Sequence, residues 1–400
     1  MNSFLSNLDR GKNSSVKRQL LCLCSGDKDY SIAEISQKLD ISVPTATKII
    51  GELINDGYIT DMGKHVHSSG RRPVIYGLNP NAGFFIGIEV KRHGIDVAVS
   101  NFKGKILDYV ESLPVEVKNT EESFREMCSV ILSHLRRKGI DHAKIQSYNF
   151  SFTGRVNKET GYSFSYFLGE DKPAAALLAA ILKCTVYIDN DSRAMTYGEY
   201  VAGVANREQN MLFLNCSWGV GMGMVLDGQL YYGRSGYSGE VGHFPILDND
   251  IICHCGKTGC LETGASGVAL HRIAVEKLKS GRASSLSQKF RKEGDVTLDD
   301  IIKATCEEDI LAIEAVEEVG QTMGRAIAGL INIFNPELVV IGGKLAEVKD
   351  YMYLPLISSV NKFSLNMVSK ETTIKFSEMG AKIGAIGSCI MARNKLLGVL

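Results

Sequence analysis

Three cysteines crowd into Cys253-His254-Cys255-Gly256-Lys257-Thr258-Gly259-Cys260, and His243 stands ten residues before the first of them. Thiolate sulfur and imidazole nitrogen are the donors of closed, tetrahedral structural zinc sites, and glycines between ligands let the backbone turn tightly around an ion. Four donors, His243, Cys253, Cys255 and Cys260, leave no open position, so the spacing predicts structural rather than catalytic zinc. His254 competes with His243 as the nitrogen donor. The bland alternative is a metal-free loop of reduced thiols, and the spacing favours the metal. The remaining cysteines are scattered, as buried thiols in a reducing compartment are.

The elements around this loop follow from periodicity. Val16, Leu20, Leu21 and Cys24 mark one helical face, and Ile32, Ile35 and Leu39 a second. After the short link Asp40-Ile41-Ser42, residues Ala46, Ile49, Ile50, Leu53 and Ile54 share the face of a third helix, which Ser42 can cap and in whose first turn Pro44 is tolerated. Its outer face carries Val43, Thr45, Thr47 and Lys48, the candidate contacts to base edges and phosphates. Gly57 ends the helix, Tyr58-Ile59-Thr60 starts a strand and Val74-Ile75-Tyr76 returns beside it. The hairpin tip between them holds Arg71 and Arg72, suited to phosphate or the minor groove. Residues 1–78 therefore read as a winged helix-turn-helix DNA-binding domain. A protein-docking or dimerisation module is the competing reading, against which the short turn and the arginine-bearing wing count.

At 400 residues and 44% hydrophobic composition the chain can bury a large core spread over two or three domains. Further on, strands are expected near 84–90, 94–100, 106–109, 184–190, 211–216 and 338–341, with helices near 122–137, 264–280 and 310–333. Residues 1–78 hold 10 Lys/Arg and 8 Asp/Glu, which leaves 35 and 37 for the rest. A balance of +2 against −2 is too small to identify a partner. No run reaches the roughly 18 to 20 apolar residues of a membrane span, so a cytoplasmic protein without a membrane partner is expected.

The stretch from Gly239 to Glu262, with Gly219-Val220-Gly221-Met222-Gly223 upstream, resembles the signature of the ROK family of sugar kinases and repressors, over roughly residues 79–400. The N-terminal domain matches the family's repressor branch. The resemblance implies an α/β, two-lobed actin-like domain of the sugar-kinase/ribonuclease H-like kind, with sugar in the cleft and zinc bracing the adjoining loops. The expected lobes are 79–198 and 199–382, with a C-terminal helix at 383–398 packing back on the first. Sugar-binding positions carry over onto Asn190 and Asp191 of Asp189-Asn190-Asp191, and onto Glu240, His243 and Glu262. Carboxylates, an amide and an imidazole can pair the vicinal hydroxyls of a sugar in a cleft.

In family kinases the aspartate matching Asp191 is the base on the sugar hydroxyl, so Asp191 would be catalytic in a kinase. Their first hairpin carries an Asp-x-Gly-Gly-Thr phosphate loop, where this chain has Glu89-Val90-Lys91-Arg92-His93. Long cations in place of glycines and threonine block close backbone approach to a phosphate. Cys216-Ser217-Trp218 and Gly342-Gly343-Lys344 depart from the kinases at two further nucleotide segments. The expectation is a sugar-responsive transcriptional regulator, a repressor, that binds operator DNA and a sugar or phosphosugar, keeps zinc and does not use ATP. A bifunctional kinase that also binds DNA is the alternative, and a sensor of a protein partner a third. A homodimer, or a dimer of dimers, is expected because paired winged helices read a palindrome.

Overall fold

In a computed structural model of the chain, Ser42 accepts the Thr45 N–H and opens the helix Val43–Asn55, with Pro44 in its first turn. The structure describes residues 13–400 except 27, 65–72, 92–93, 166–172 and 207. Ser14–Leu23 and Ile32–Lys38 precede that helix, the second closed by a capping box between Ser31 and Glu34. Ala46, Ile49, Ile50 and Leu53 are buried on the inner face of Val43–Asn55. The strands Ile59–Lys64 and Val74–Leu78 pair antiparallel, and Tyr30–Ser31 adds to the free side of the latter. The tip with Arg71 and Arg72 lies outside the described residues.

Residues up to 194 together with 384–400 form one compact unit, and 195–383 a second. In the first, a five-stranded sheet runs in the order Thr185–Asn190, Ile145–Phe152, Phe84–Lys91, Gly94–Asn101, Ile106–Leu113. The first three strands are parallel and the last two antiparallel additions. One face is covered by Glu121–Arg137, whose Phe124, Met127, Ile131 and Leu135 recur at helical spacing and pack on Phe150 and Phe152. Acidic residues in its first turn and basic ones in its last complement the helix dipole. The C-terminal helix Ile383–Leu397 lies against the sheet, where Ser147 Oγ donates to the Ala392 carbonyl at 2.9 Å.

The interior strand Ile145–Phe152, between Thr185–Asn190 and Phe84–Lys91, is absent from the expected elements. Its eight residues are all buried although Gln146, Ser147, Asn149 and Ser151 are polar, because both faces of the sheet are covered and backbone carbonyls take the serine hydroxyls.

In the second unit the sheet order is Gln229–Leu230, Val220–Leu226, Met211–Cys216, Leu338–Gly342, Thr373–Phe376. The helix Ile310–Phe334, capped by Asp309, is buried along one side and packs on Lys349–Phe363. The helix expected near 264–280 is present as Gly267–Lys279, separated from a short turn of helix before it. Glu262–Ala265 ends at Ser266, which is extended, donates to the Glu262 carbonyl and caps Gly267–Lys279 through the Ala269 N–H. Among the described residues no helix is long and apolar enough to cross a membrane.

Candidate functional site

The second unit gathers the His/Cys cluster by local turns. Gly256 and Gly259 sit at φ 84° and 74°, in the left-handed region that a side chain disfavours, and fold residues 253–260 back on themselves. The Leu261 and Leu247 N–H groups donate to Phe244 and Gly259 carbonyls, which lace the loop to the segment following His243. The ligand atoms of His243, Cys253, Cys255 and Cys260 then lie within 4.8 Å of one another. Cys253 Sγ is 3.6 Å from His243 Nδ1 and Cys255 Sγ is 3.7 Å from Cys260 Sγ. Around an ion held about 2.3 Å from sulfur, the edges of a tetrahedron are about 3.7 Å, so the cluster fits a zinc-sized ion. Burial pushes the Cys253 thiol up to about 12, and a cation is the group that would hold it as thiolate.

With Nδ1 of His243 turned to the cluster, Nε2 faces outward, 3.8 Å from Glu240 Oε2. Glu262 is anchored from two sides. Its Oε2 accepts the Val220 N–H at 3.1 Å, and His254 Nδ1 lies 2.8 Å from its Oε1. Gly219 makes room for this, since a Cβ there would stand 2.4 Å from Glu262 Oε2. His254, treated in the sequence only as a rival ligand, is thus a contact of Glu262. Cys253, His254 and Glu262 form a second group with metal-like spacing.

The first unit holds Asn190 and Asp191, where Thr185–Asn190 hands over to the helix Asp191–Ala202. Asn190 Nδ2 donates to the Gly154 carbonyl and to Asp191 Oδ1 at 2.9 and 2.8 Å, and the Ser192 N–H donates to the same carboxylate. Burial raises the Asp191 carboxyl above the usual range against these bonds. Asp189 is fully buried yet stays ionised, because Lys395 and Arg193 outweigh burial and hold it at about 2.

At the hairpin between Phe84–Lys91 and Gly94–Asn101, Lys91 Nζ donates to Asp96 Oδ2 at 2.6 Å and lies 3.8 Å from Glu89 Oε2. Burial works against this ammonium, but Glu89 and Asp96 prevail and keep its pKa above the ordinary lysine value. Arg92 and His93 lie outside the described residues. At the third glycine segment Lys344 Nζ is paired with Asp299 and Glu347 at 2.9 and 3.0 Å. Both lysines that replace nucleotide-loop residues are therefore engaged with carboxylates of their own unit.

On Val43–Asn55, Val43 is 52% exposed and Thr47 and Lys48 are exposed, whereas Thr45 is half-buried with its hydroxyl 2.8 Å from that of Ser42. Thr47 donates its hydroxyl proton to the Val43 carbonyl, which leaves it an acceptor toward DNA.

A sequence profile for the ROK family matches residues 85–395. The chain belongs to the ROK family. A profile described as winged helix-turn-helix DNA-binding matches residues 15–60, so a DNA-binding module precedes the ROK domain. The xylose repressor of Caldicellulosiruptor bescii is 28% identical over 374 residues, covering 93% of each chain. A glucokinase of Halalkalibacterium halodurans is 30% identical over 311 residues, 76% of this chain and 93% of its own. The crystal structure of a ROK-family transcriptional regulator, a homologue of the E. coli MLC protein, has the same fold, with a TM-score of 0.81 at 24% identity over 96% of each chain. The chain thus matches these regulators over nearly all of its length and that kinase over about three quarters of it.

Proposed function

We propose that this ROK protein is a sugar-responsive transcriptional repressor. It binds operator DNA through Val43, Thr45, Thr47 and Lys48 and the wing arginines Arg71 and Arg72, and a sugar or phosphosugar through Asn190, Asp191, Glu240, His243 and Glu262. The observation that carries the loss of kinase activity is the Lys91–Asp96 pair at 2.6 Å. It puts a neutralised lysine where the family's phosphate loop offers bare backbone N–H groups. Four-coordinate zinc on His243, Cys253, Cys255 and Cys260 is structural in this reading, and ties the loop that carries Glu262 to the turn that carries Glu240. Relatives named as repressors, each covered over 92% or more of its length, support the assignment.

The protein acts in the cytoplasm as a homodimer or a dimer of dimers, since one winged helix reaches few bases and a symmetric pair reads a palindrome. Gel filtration giving a monomer at working concentration would count against that assembly. The second reading, a kinase that also binds DNA, draws on the intact Asn190-Asp191 pair and the glucokinase relative. Calorimetric titration with D-xylose, D-glucose and N-acetylglucosamine, with and without ATP, and an assay for phosphorylated product decide between them. Binding without turnover is expected. Turnover that vanishes in Asp191→Asn would establish the kinase.

A further inference from the structure

We propose that the C-terminal helix Ile383–Leu397 couples the sugar motif to the winged helix, with Lys395 and Arg393 as the positioning residues that make the connection. The proposal rests on the sugar-responsive reading above.

The first contact is at the sugar motif. Lys395 Nζ lies 2.9 Å from Asp189 Oδ2 and 3.1 Å from Asn149 Oδ1. The other oxygen of Asp189 accepts from Arg193 Nε at 2.7 Å and from the Asn190 N–H at 2.9 Å. One fully buried carboxylate thus holds the backbone of a candidate sugar residue on one side and the C-terminal helix on the other. A buried ion pair resists separation, because each charge left alone would lack solvent. A displacement of Asn190 and Asp189 therefore drags Lys395 with it.

The second contact lies two residues earlier on the same helix, about 3 Å along its axis. The Arg393 guanidinium is buried and donates to the Phe102 carbonyl at 3.2 Å and to the Ser25 carbonyl at 2.7 Å. Ser25 directly follows the first helix of the winged domain and its cap. Phe102 is stacked between Tyr58 of the winged domain and Phe85 of the sheet, at 5.7 and 5.6 Å between ring centroids. Arg393 therefore grips the joint between the DNA-binding domain and the sheet from both sides.

The helix that carries both contacts has little freedom to absorb a shift, because its preceding turn is packed tightly on the sheet. Gly87 lets the strand Phe84–Lys91 approach so closely that a Cβ there would stand 2.1 Å from the Cys389 backbone nitrogen. Cys389 Sγ donates to the Phe85 carbonyl at 3.2 Å. Close-packed elements of this kind move as rigid bodies or switch between discrete arrangements.

The test uses the full chain and a DNA duplex that the unmodified protein selects from a random-sequence pool. Its Kd is measured by fluorescence anisotropy without sugar and at saturation with D-xylose, D-glucose or N-acetylglucosamine. The ratio of the two Kd values is the coupling factor, which a purely structural role for either residue would leave alone. Lys395→Met and Arg393→Gln are each expected to cut that factor about threefold or more, and the double variant to cut it no further, since both act through one helix. Arg393→Lys, which keeps the charge and loses the fork that reaches two carbonyls, takes the place of Arg393→Gln if the latter does not fold. A coupling factor equal to that of the unmodified protein in folded variants overturns the proposal and leaves the sugar-responsive reading intact. An unmodified protein whose DNA affinity ignores all three sugars overturns both, and that result is in hand before any variant is made.

Discussion

His254 Nδ1 lies 2.8 Å from Glu262 Oε1, on a loop where Cys253 and Cys255 flank the histidine and the glutamate opens the next helix. The contact orients a carboxylate proposed to take sugar hydroxyls, and leaves His243 as the proposed nitrogen donor of the four-residue cluster. His254→Ala should raise the Kd for the bound sugar by about 3- to 10-fold with the metal content unchanged, as loss of an orienting partner does. Metal analysis and calorimetry on the same preparation check it, and lost metal would make His254 a ligand instead.

Removing the ion should loosen the loop that carries Glu262. Cys255→Ser is expected to lower zinc content and to lower Tm measurably, because metal binding and folding are coupled. Chelation of the unmodified protein should lower Tm likewise, and added zinc should restore it. An unchanged melting curve after complete chelation would dismiss a structural role.

Glu89 predicts a pH dependence. Burial pushes its carboxyl from 4.5 up to about 8, partly offset by Lys91, and its Oε2 has no hydrogen-bond partner among the described residues. In the fold it keeps a proton that the unfolded chain has released. Its contribution is therefore fully present below about 4.5 and is lost as pH rises to about 8. Glu89→Gln should gain stability over the unmodified protein across that window, reaching roughly 2–4 kcal/mol near pH 8 and little at pH 4.5. Denaturant unfolding at several pH values measures it, and parallel curves for the two proteins would refute it.

At Gly87 even one methyl group is too many, because the nearest atoms are backbone, Cys389 N at 2.1 Å and Ala385 O at 2.2 Å. Gly87→Ala should destabilise by roughly 2–3 kcal/mol by forcing the C-terminal helix off the sheet. Equal unfolding midpoints would mean that the helix shifts freely.

On the helix Val43–Asn55, proposed to read DNA, the cation Lys48 and the apolar Val43 are both exposed. Lys48→Ala should weaken binding to selected and unselected DNA alike and reduce the slope of log K against log salt by about 1. Loss confined to the selected sequence would make Lys48 a base reader instead.

What the sequence by itself determined was local. The faces of the three N-terminal helices, the Ser42 cap and the spacing of Cys253, Cys255 and Cys260 depend on neighbours within a few residues, where helical period and turn chemistry decide. The family resemblance carried the reading to the sugar positions. Tertiary structure alone decided what depends on burial. Ile145–Phe152 is an interior strand of its sheet with four polar residues because both faces are covered, a fact invisible to a two-residue period. The helix near 264–280 starts at Gly267 because the Ser266 hydroxyl finds a backbone carbonyl and an N–H to serve. Lys395, near the end of a largely apolar helix, meets Asp189 across 206 residues of chain. Periodicity marks which face of a helix turns inward, but which charge waits there is set by how the chain returns on itself, and a buried charge must be met by one of opposite sign wherever in the sequence it lies.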